Sequence, residues 1–194
     1  KNSELTLFIL AVNLSKERNM KTKLPPNIND DIDYSGSELR SIHLAGGCFW
    51  GVQAYMRRIK GVAFTEVGYA NGRTADPSYS EVCSMDTGHA ETVHIKYDPE
   101  MVSLVDLLKE FFKVVDPTSF NRQGNDVGSQ YRSGIFFTDP EDEQTIIRFM
   151  EMLAAGYRSA VVTQVKPLLC FYRAEEYHQS YLEKNPGGYC HISF

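Results

Sequence analysis

No Cys-x-x-Cys pair occurs in the 194 residues, and the four cysteines stand far apart, at 48, 83, 170 and 190. That spacing excludes a zinc ribbon and a thioredoxin-type redox motif, and four thiols are too few for a disulfide scaffold. Basic charge is short as well. Twenty Lys and Arg against 25 Asp and Glu leave a net charge of −5, which offers no field to nucleic acid or an anionic membrane. Long apolar runs are missing: Leu5–Val12 is too short to span a bilayer, and Glu4 spoils the basic start of a signal peptide. There are no internal repeats or low-complexity tracts, and the length suits one hydrophobic core. Tryptophan occurs once, at position 50, directly beyond Cys48-Phe49.

Residues 1–38 read as a poorly structured leader or linker, polar and turn-rich after residue 12, and a single domain is expected over 39–194. The hydrophobic pattern predicts a strand over 40–45, a helix over 49–60 stopped by Gly61, and strands over 62–69 and 90–97. A helix over 103–115 starts at the cap Ser103, a strand follows over 131–138, and a helix over 140–157 has Pro at its first position. A short strand over 160–165 and a helix over 174–184 lead into the tail Asn185–Phe194. Two long polar loops, 70–89 and 116–130, point to functional use. The β-α-β-β-α-β order predicts an α+β fold, a ferredoxin-like split β-α-β two-layer sandwich with long functional loops and a coil-rich C-terminal tail.

The chemistry gathers at Gly46-Gly47-Cys48-Phe49-Trp50-Gly51, where a strand gives way to a helix. Unpaired N–H groups and the positive dipole end of a helix favour thiolate, so a lowered thiol pKa is expected at Cys48, beside the apolar walls Phe49 and Trp50. Glu91 opens an apolar strand, and burial there makes a general acid by raising its pKa. Tyr79 brings a phenol into the first loop, able to hold an oxygen without adding charge. Asp126 and Tyr131 lie in the loop Gly124–Arg132, dense in hydrogen-bonding side chains. Cys190 follows Gly187-Gly188-Tyr189, a setting for a thiol that travels to meet another.

Taken together, the blocks GGCFWG, GYANG with PSY, DTGHAET, DPTS with QGND and QYRSG, AEEYHQ with YL, and KNPGGYC resemble the A-type methionine sulfoxide reductases. The resemblance runs from about Ile42 to His191 and implies a peptide-methionine (S)-S-oxide reductase. It implies Cys48 as the nucleophile on the sulfoxide sulfur, Phe49 and Trp50 as the cage for the substrate's methyl group, and Glu91 as the proton donor to the oxide. Tyr79 and Tyr131 become the phenols that hold that oxygen, Asp126 a carboxylate arranging the site, and Cys190 the recycling thiol that forms a disulfide with Cys48. Thioredoxin or a similar dithiol is the implied reductant, with oxidised proteins or free methionine sulfoxide as substrate. No metal or organic cofactor is called for. Other members carry a further recycling cysteine beyond the GYC, which is missing here, and Cys83 and Cys170 receive no role. A monomer is expected, with fusion to a B-type reductase domain as one possible context. The expected address is the cytoplasm, with an envelope or periplasmic alternative resting on Leu5–Val12.

Three other readings stand beside this one. Cys48 with His89 or His178 as base would suit a hydrolase or acyltransferase. A metal module would draw on Cys83, His89, His178 and Cys190, though their spacing follows no zinc pattern. Trp50 would equally serve a non-catalytic apolar ligand site.

Overall fold

The computed structural model describes residues 24–192 and 194. Strand β1 (Arg40–Ala45) runs through the middle of the molecule and passes into helix α1 (Phe49–Met56), followed by β2 (Val62–Ala70). A short helix α2 (Tyr79–Ser84) interrupts the first long loop before β3 (Ala90–Tyr97) and helix α3 (Leu104–Val114). The two-residue strands β4 (Arg122–Gln123) and β5 (Asp126–Val127) make a miniature hairpin in the second loop. Strand β6 (Gly134–Phe137), helix α4 (Glu141–Ala154), strands β7 (Gln164–Pro167) and β8 (Phe171–Arg173), and helix α5 (Tyr181–Lys184) complete the chain.

Six strands form one sheet in the order β7-β6-β1-β3-β2-β8. Every pair is antiparallel except β6 with β7, which α4 joins as a crossover, the connection a parallel pair requires. The fold is thus a mixed α/β one around a mainly antiparallel sheet. Side chains alternate across a strand, so Ile42 and Leu44 of β1 share a face with Val93 and Ile95 of β3, and all four are fully buried. The apolar stripe of α3, Leu104, Leu107, Leu108, Phe111 and Phe112, closes over this face, as its spacing predicts. The same alternation places Glu91, two residues before Val93, on the helix side of the sheet at the end nearest α1. Its cross-strand partner there is Tyr69.

Several boundaries differ from the expected ones, and each has a tertiary cause. Helix α1 stops at Met56 rather than at residue 60 because Asn29 takes over the backbone groups beyond it. The Asn29 amide donates to the carbonyls of Arg57 (2.9 Å) and Ile59 (2.8 Å), and its oxygen accepts from the Gly61 N–H (3.0 Å). Residues 24–38, expected to be poorly structured, are tied to the domain by this clip and by the Ser37 hydroxyl, which donates to Asp98 Oδ2 (2.7 Å); the Tyr34 hydroxyl braces Asn29 from within the segment. Leu5–Val12 lies outside the described residues. Helix α2 was not expected; its N-terminus is secured by a reciprocal Ser78–Glu81 capping box. The expected helix over 174–184 breaks into a 3-10 turn (Glu176–His178) and α5. Gln179 leaves the helix between them to bond both backbone groups of Val67 on β2, and Ser180 takes a left-handed conformation. Tyr131 lies in a 3-10 turn (Ser129–Tyr131) rather than in β6, the last predicted strand moves to 164–167, and β8 was not expected at all. Among the described residues no helix is long and apolar enough to cross a membrane.

If Asn29 clips this segment to α1, Asn29→Ala leaves buried backbone groups unpaired. It should lower stability in urea unfolding by about 1–3 kcal/mol, and an unchanged midpoint would show that the segment adds nothing to the domain.

Candidate active site

Glycine is required at the turn from β1 into α1. A Cβ at Gly46 would lie 2.6 Å from the Val115 side chain, and Gly47 has φ +79° with the side chains of Gln123 and His191 packed against it. The Gly47 N–H donates to the carbonyl of Tyr131 (3.2 Å), which pins the 3-10 turn carrying that phenol to the glycine pair. Cys48 then occupies the position before the first turn of α1, without a side-chain capping bond. The free N–H groups of that turn are shared between two acids. The Phe49 N–H donates to Glu91 Oε2 at 3.0 Å, and the Trp50 N–H faces the Cys48 sulfur.

Cys48 is 8% exposed and Glu91 1%. Burial lifts the Glu91 carboxyl to a pKa of about 8; the Phe49 N–H opposes that rise and the Asp126 charge adds to it. For Cys48 the expectation of a lowered pKa is overturned. Burial first and the Glu91 charge second push the thiol well above its usual range, while the Trp50 amide pulls only partly the other way. A helix end favours a thiolate, but here burial and the neighbouring carboxyl group outweigh it. Near neutral pH the empty site therefore holds an acid and a thiol, both protonated.

Aromatic groups surround the pair. Phe49 points into the core against Tyr69 and His178, with ring centroids 5.9 and 5.1 Å away. The Trp50 indole stacks on Tyr181 at 3.7 Å and donates its N–H to His178 Nδ1 at 3.0 Å. Tyr79 opens α2, and its ring lies 4.5 Å from that of His178. Its backbone N–H donates to Glu175 Oε1 (2.9 Å), whose other oxygen accepts from the Tyr69 hydroxyl (2.8 Å). Burial is the main cause that raises the pKa of both Tyr79 and Tyr131, so both remain neutral phenols. Asp126 sits in β5, its Oδ2 3.5 Å from His191 Nδ1.

The glycine-rich tail suggests a travelling thiol, but here Cys190 is docked. A Cβ at Gly51 would come within 2.9 Å of its sulfur, so the last glycine of GGCFWG is the slot that receives it. Gly51 is three residues beyond Cys48, hence its neighbour on the helix surface. The Ile192 N–H donates to the Cys190 sulfur (3.4 Å), and the Ile192 side chain is buried in the core. All four cysteines are free thiols, with Cys83 exposed and Cys170 directed at the Gly72 carbonyl (3.9 Å).

Cys48, Phe49, Trp50, Glu91, Tyr79, Tyr131, Asp126 and Cys190 are thus drawn around one turn. Sequence reasoning missed Tyr69, Glu175, Tyr181 and the support that His178 gives Trp50. The polar and aromatic density of AEEYHQ-x-YL was their signal. Of the two proposed bases, only His178 has its basic nitrogen engaged. The acceptor nitrogen of His178 takes the indole N–H, and buried His89 sits 2.9 Å from the Thr74 carbonyl. Among the described residues no group of three or more His, Cys, Asp or Glu side chains gathers to hold a metal.

Comparison with known proteins agrees with this geometry. A relative from Clostridium botulinum (strain Okra), named peptide methionine sulfoxide reductase MsrA, is 58% identical over 154 residues, 79% of this chain and 98% of its own. Mxr1 from Saccharomyces cerevisiae in its reduced form superposes with a TM-score of 0.76 at 38% identity, covering 83% of this chain and 93% of its own. Mxr1 has also been solved in complex with Trx2, with a TM-score of 0.55 at 25% identity over 78% of this chain and 91% of that one. The peptide methionine sulfoxide reductase family model matches residues 40–194, and this chain belongs to that family.

Proposed function

We propose that this chain reduces methionine-S-sulfoxide, free or in proteins, to methionine, with thioredoxin or a similar dithiol restoring the enzyme. One observation carries the reading: a buried carboxylic acid and a buried thiol share the first turn of α1, with a second thiol docked beside them. Phe49 and Trp50 receive the substrate's methyl group, while Glu91, Tyr79 and Tyr131 face its oxygen and Asp126 helps to arrange the site. Glu91 passes its proton to the oxide, which turns a poor leaving oxygen into a hydroxyl and places positive charge on the substrate sulfur. That charge favours loss of the Cys48 thiol proton, so the raised pKa keeps the sulfur quiet until a sulfoxide is bound. As the Cys48 sulfur attacks, an S–S bond to the substrate sulfur forms and the S–O bond breaks, the hydroxyl leaving as water with the Cys48 thiol proton. Water then adds to the Cys48 sulfur as that S–S bond breaks; methionine leaves, one proton returns to Glu91, and Cys48 ends as a sulfenic acid. Two electrons have passed from Cys48 to the substrate. Cys190 then attacks the Cys48 sulfur, water departs, and the disulfide awaits the external dithiol.

The same reading takes β6-β1-β3-β2 with α1 and α3 as a ferredoxin-like split β-α-β sandwich, supported by the antiparallel strand order and the two helical crossovers. It takes residues 39–194 as one monomeric catalytic domain with a coil-rich recycling tail, and 1–38 as a preceding leader or linker whose part from residue 24 is clipped to that domain. A cytoplasmic address suits the four free thiols and a dithiol reductant.

Turnover on the separated sulfoxide epimers with thioredoxin should consume the S epimer alone. Equal rates on both, or none on either, would overturn the reading. Glu91→Gln should slow methionine formation by roughly 10²–10⁴-fold, and the wild-type rate of that step should fall as pH rises through about 8, where Glu91 loses its proton. Stability carries the same signature. Because the folded-state pKa of Glu91 lies above its ordinary 4.5, the folded state binds the proton more tightly than the unfolded one. Its contribution is complete below pH 4.5 and is lost as pH climbs to about 8. Urea unfolding at pH 5 and pH 9 should show that loss in the wild type and a smaller one in Glu91→Gln.

A further inference from the structure

His191 follows the recycling cysteine directly, yet the mechanism gives it no part. Its side chain is 7% exposed, and that of Asp126, facing it, is 14% exposed. Both ring nitrogens of His191 and Oδ2 of Asp126 are buried, and no hydrogen-bond partner satisfies any of them. Among the described residues, the charged group set against the ring is this carboxylate, at 3.5 Å from Nδ1. The ring also lies on the glycine turn that precedes Cys48: a Cβ at Gly47 would be 3.0 Å from its Cε1 and Nε2, and a Cβ at Gly124 3.5 Å from its Cβ. On the other side of Cys190, the Tyr189 phenol lies beside the same Asp126 carboxylate. The residues flanking the thiol thus both turn to Asp126, and the thiol between them turns to Gly51.

We propose that His191 is a positioning residue for disulfide formation: with Asp126 it latches the tail onto the Gly47 turn and holds the Cys190 sulfur in the Gly51 slot, within reach of Cys48. The proposal rests on the reductase reading above and assigns Asp126 a second duty, toward the tail. The step it serves is balanced. Cys190 gives up its thiol proton, the S–S bond forms as the S–OH bond of the Cys48 sulfenic acid breaks, and the departing hydroxide takes the proton to leave as water. Without the latch, Cys190 must find that sulfur from a segment whose nearest buried anchor is Ile192, two residues away. Misplacement of a reacting group by about 1 Å already costs up to 10²-fold in rate. The methionine-forming step as proposed above assigns no role to His191 or Tyr189, so loss of the latch should spare it.

Single turnover separates the two steps. Wild type, His191→Ala and His191→Asn would be mixed with methionine-S-sulfoxide without reductant. Methionine formed, thiols lost and Cys48 sulfenic acid trapped with dimedone would then be followed in time. Methionine should appear at the wild-type rate in all three. In His191→Ala disulfide formation should slow by about 10–100-fold, with trapped sulfenic acid accumulating. His191→Asn, whose amide can still donate to Asp126 from near the Nδ1 position, should recover most of the rate. Should His191→Ala fold poorly, Tyr189→Phe removes the other arm of the bracket from a half-exposed site and should slow the same step. Disulfide formation at the wild-type rate in these variants would overturn the proposal, and so would a parallel loss of methionine formation. Failure of the wild type to form methionine at all would instead remove the reductase reading itself.

Discussion

The hydrogen bond from the Phe49 N–H to the Glu91 carboxyl is the constraint on which the site depends. It joins the first turn of α1 to the end of β3, and it fixes an acid and a thiol at one helix terminus. Two ionisable groups in a dry space cannot both be charged, because each desolvated anion is costly and the two repel. The turn resolves this by giving the carboxyl a backbone donor while leaving both groups protonated. An acid kept neutral near pH 7 can donate a proton, and a thiol kept neutral resists stray oxidants and alkylators. Reactivity is thus conditional on a substrate that accepts the proton.

Around that pair, support comes from the far end of the chain. Glu175 bonds the Tyr69 hydroxyl and the Tyr79 N–H at once, so a single carboxylate sets strand β2 and helix α2 relative to each other. His178 holds the indole of Trp50 from beneath, and Tyr181 stacks on its face. Gln179, by binding both backbone groups of Val67, delivers these residues to the sheet edge. The pocket walls are therefore tied to the sheet by hydrogen bonds.

Much of this was legible in the sequence because the relevant signals are local. The start of an apolar strand marked Glu91 as a candidate for burial, spacing gave the inner face of α3, and the two glycines before Cys48 announced a tight turn. The thiol pKa was misjudged because a helix end is a local feature, whereas the carboxyl that outweighs it arrives from β3. Helix α1 was drawn too long for a similar reason: the Asn29 side chain that ends it lies 28 residues before Arg57. The break between the 3-10 turn and α5 depends on Val67, over a hundred residues earlier, and no periodicity reports such a partner. Docking of Cys190 was hidden as well, since Gly51 reads as an ordinary helix glycine until the tail is laid against it.

The hydrogen bond from Trp50 to His178 spans 128 residues of sequence, while that from Phe49 to Glu91 spans 42. Contacts of such unequal reach form at different times, because long-range pairings are delayed by the entropy of closing large loops. During synthesis the acid and the thiol can meet once β3 has emerged. The wall behind the indole must wait for almost the whole domain to follow. The groups that cage the indole are thus synthesised late, after the acid and the thiol are both in the chain.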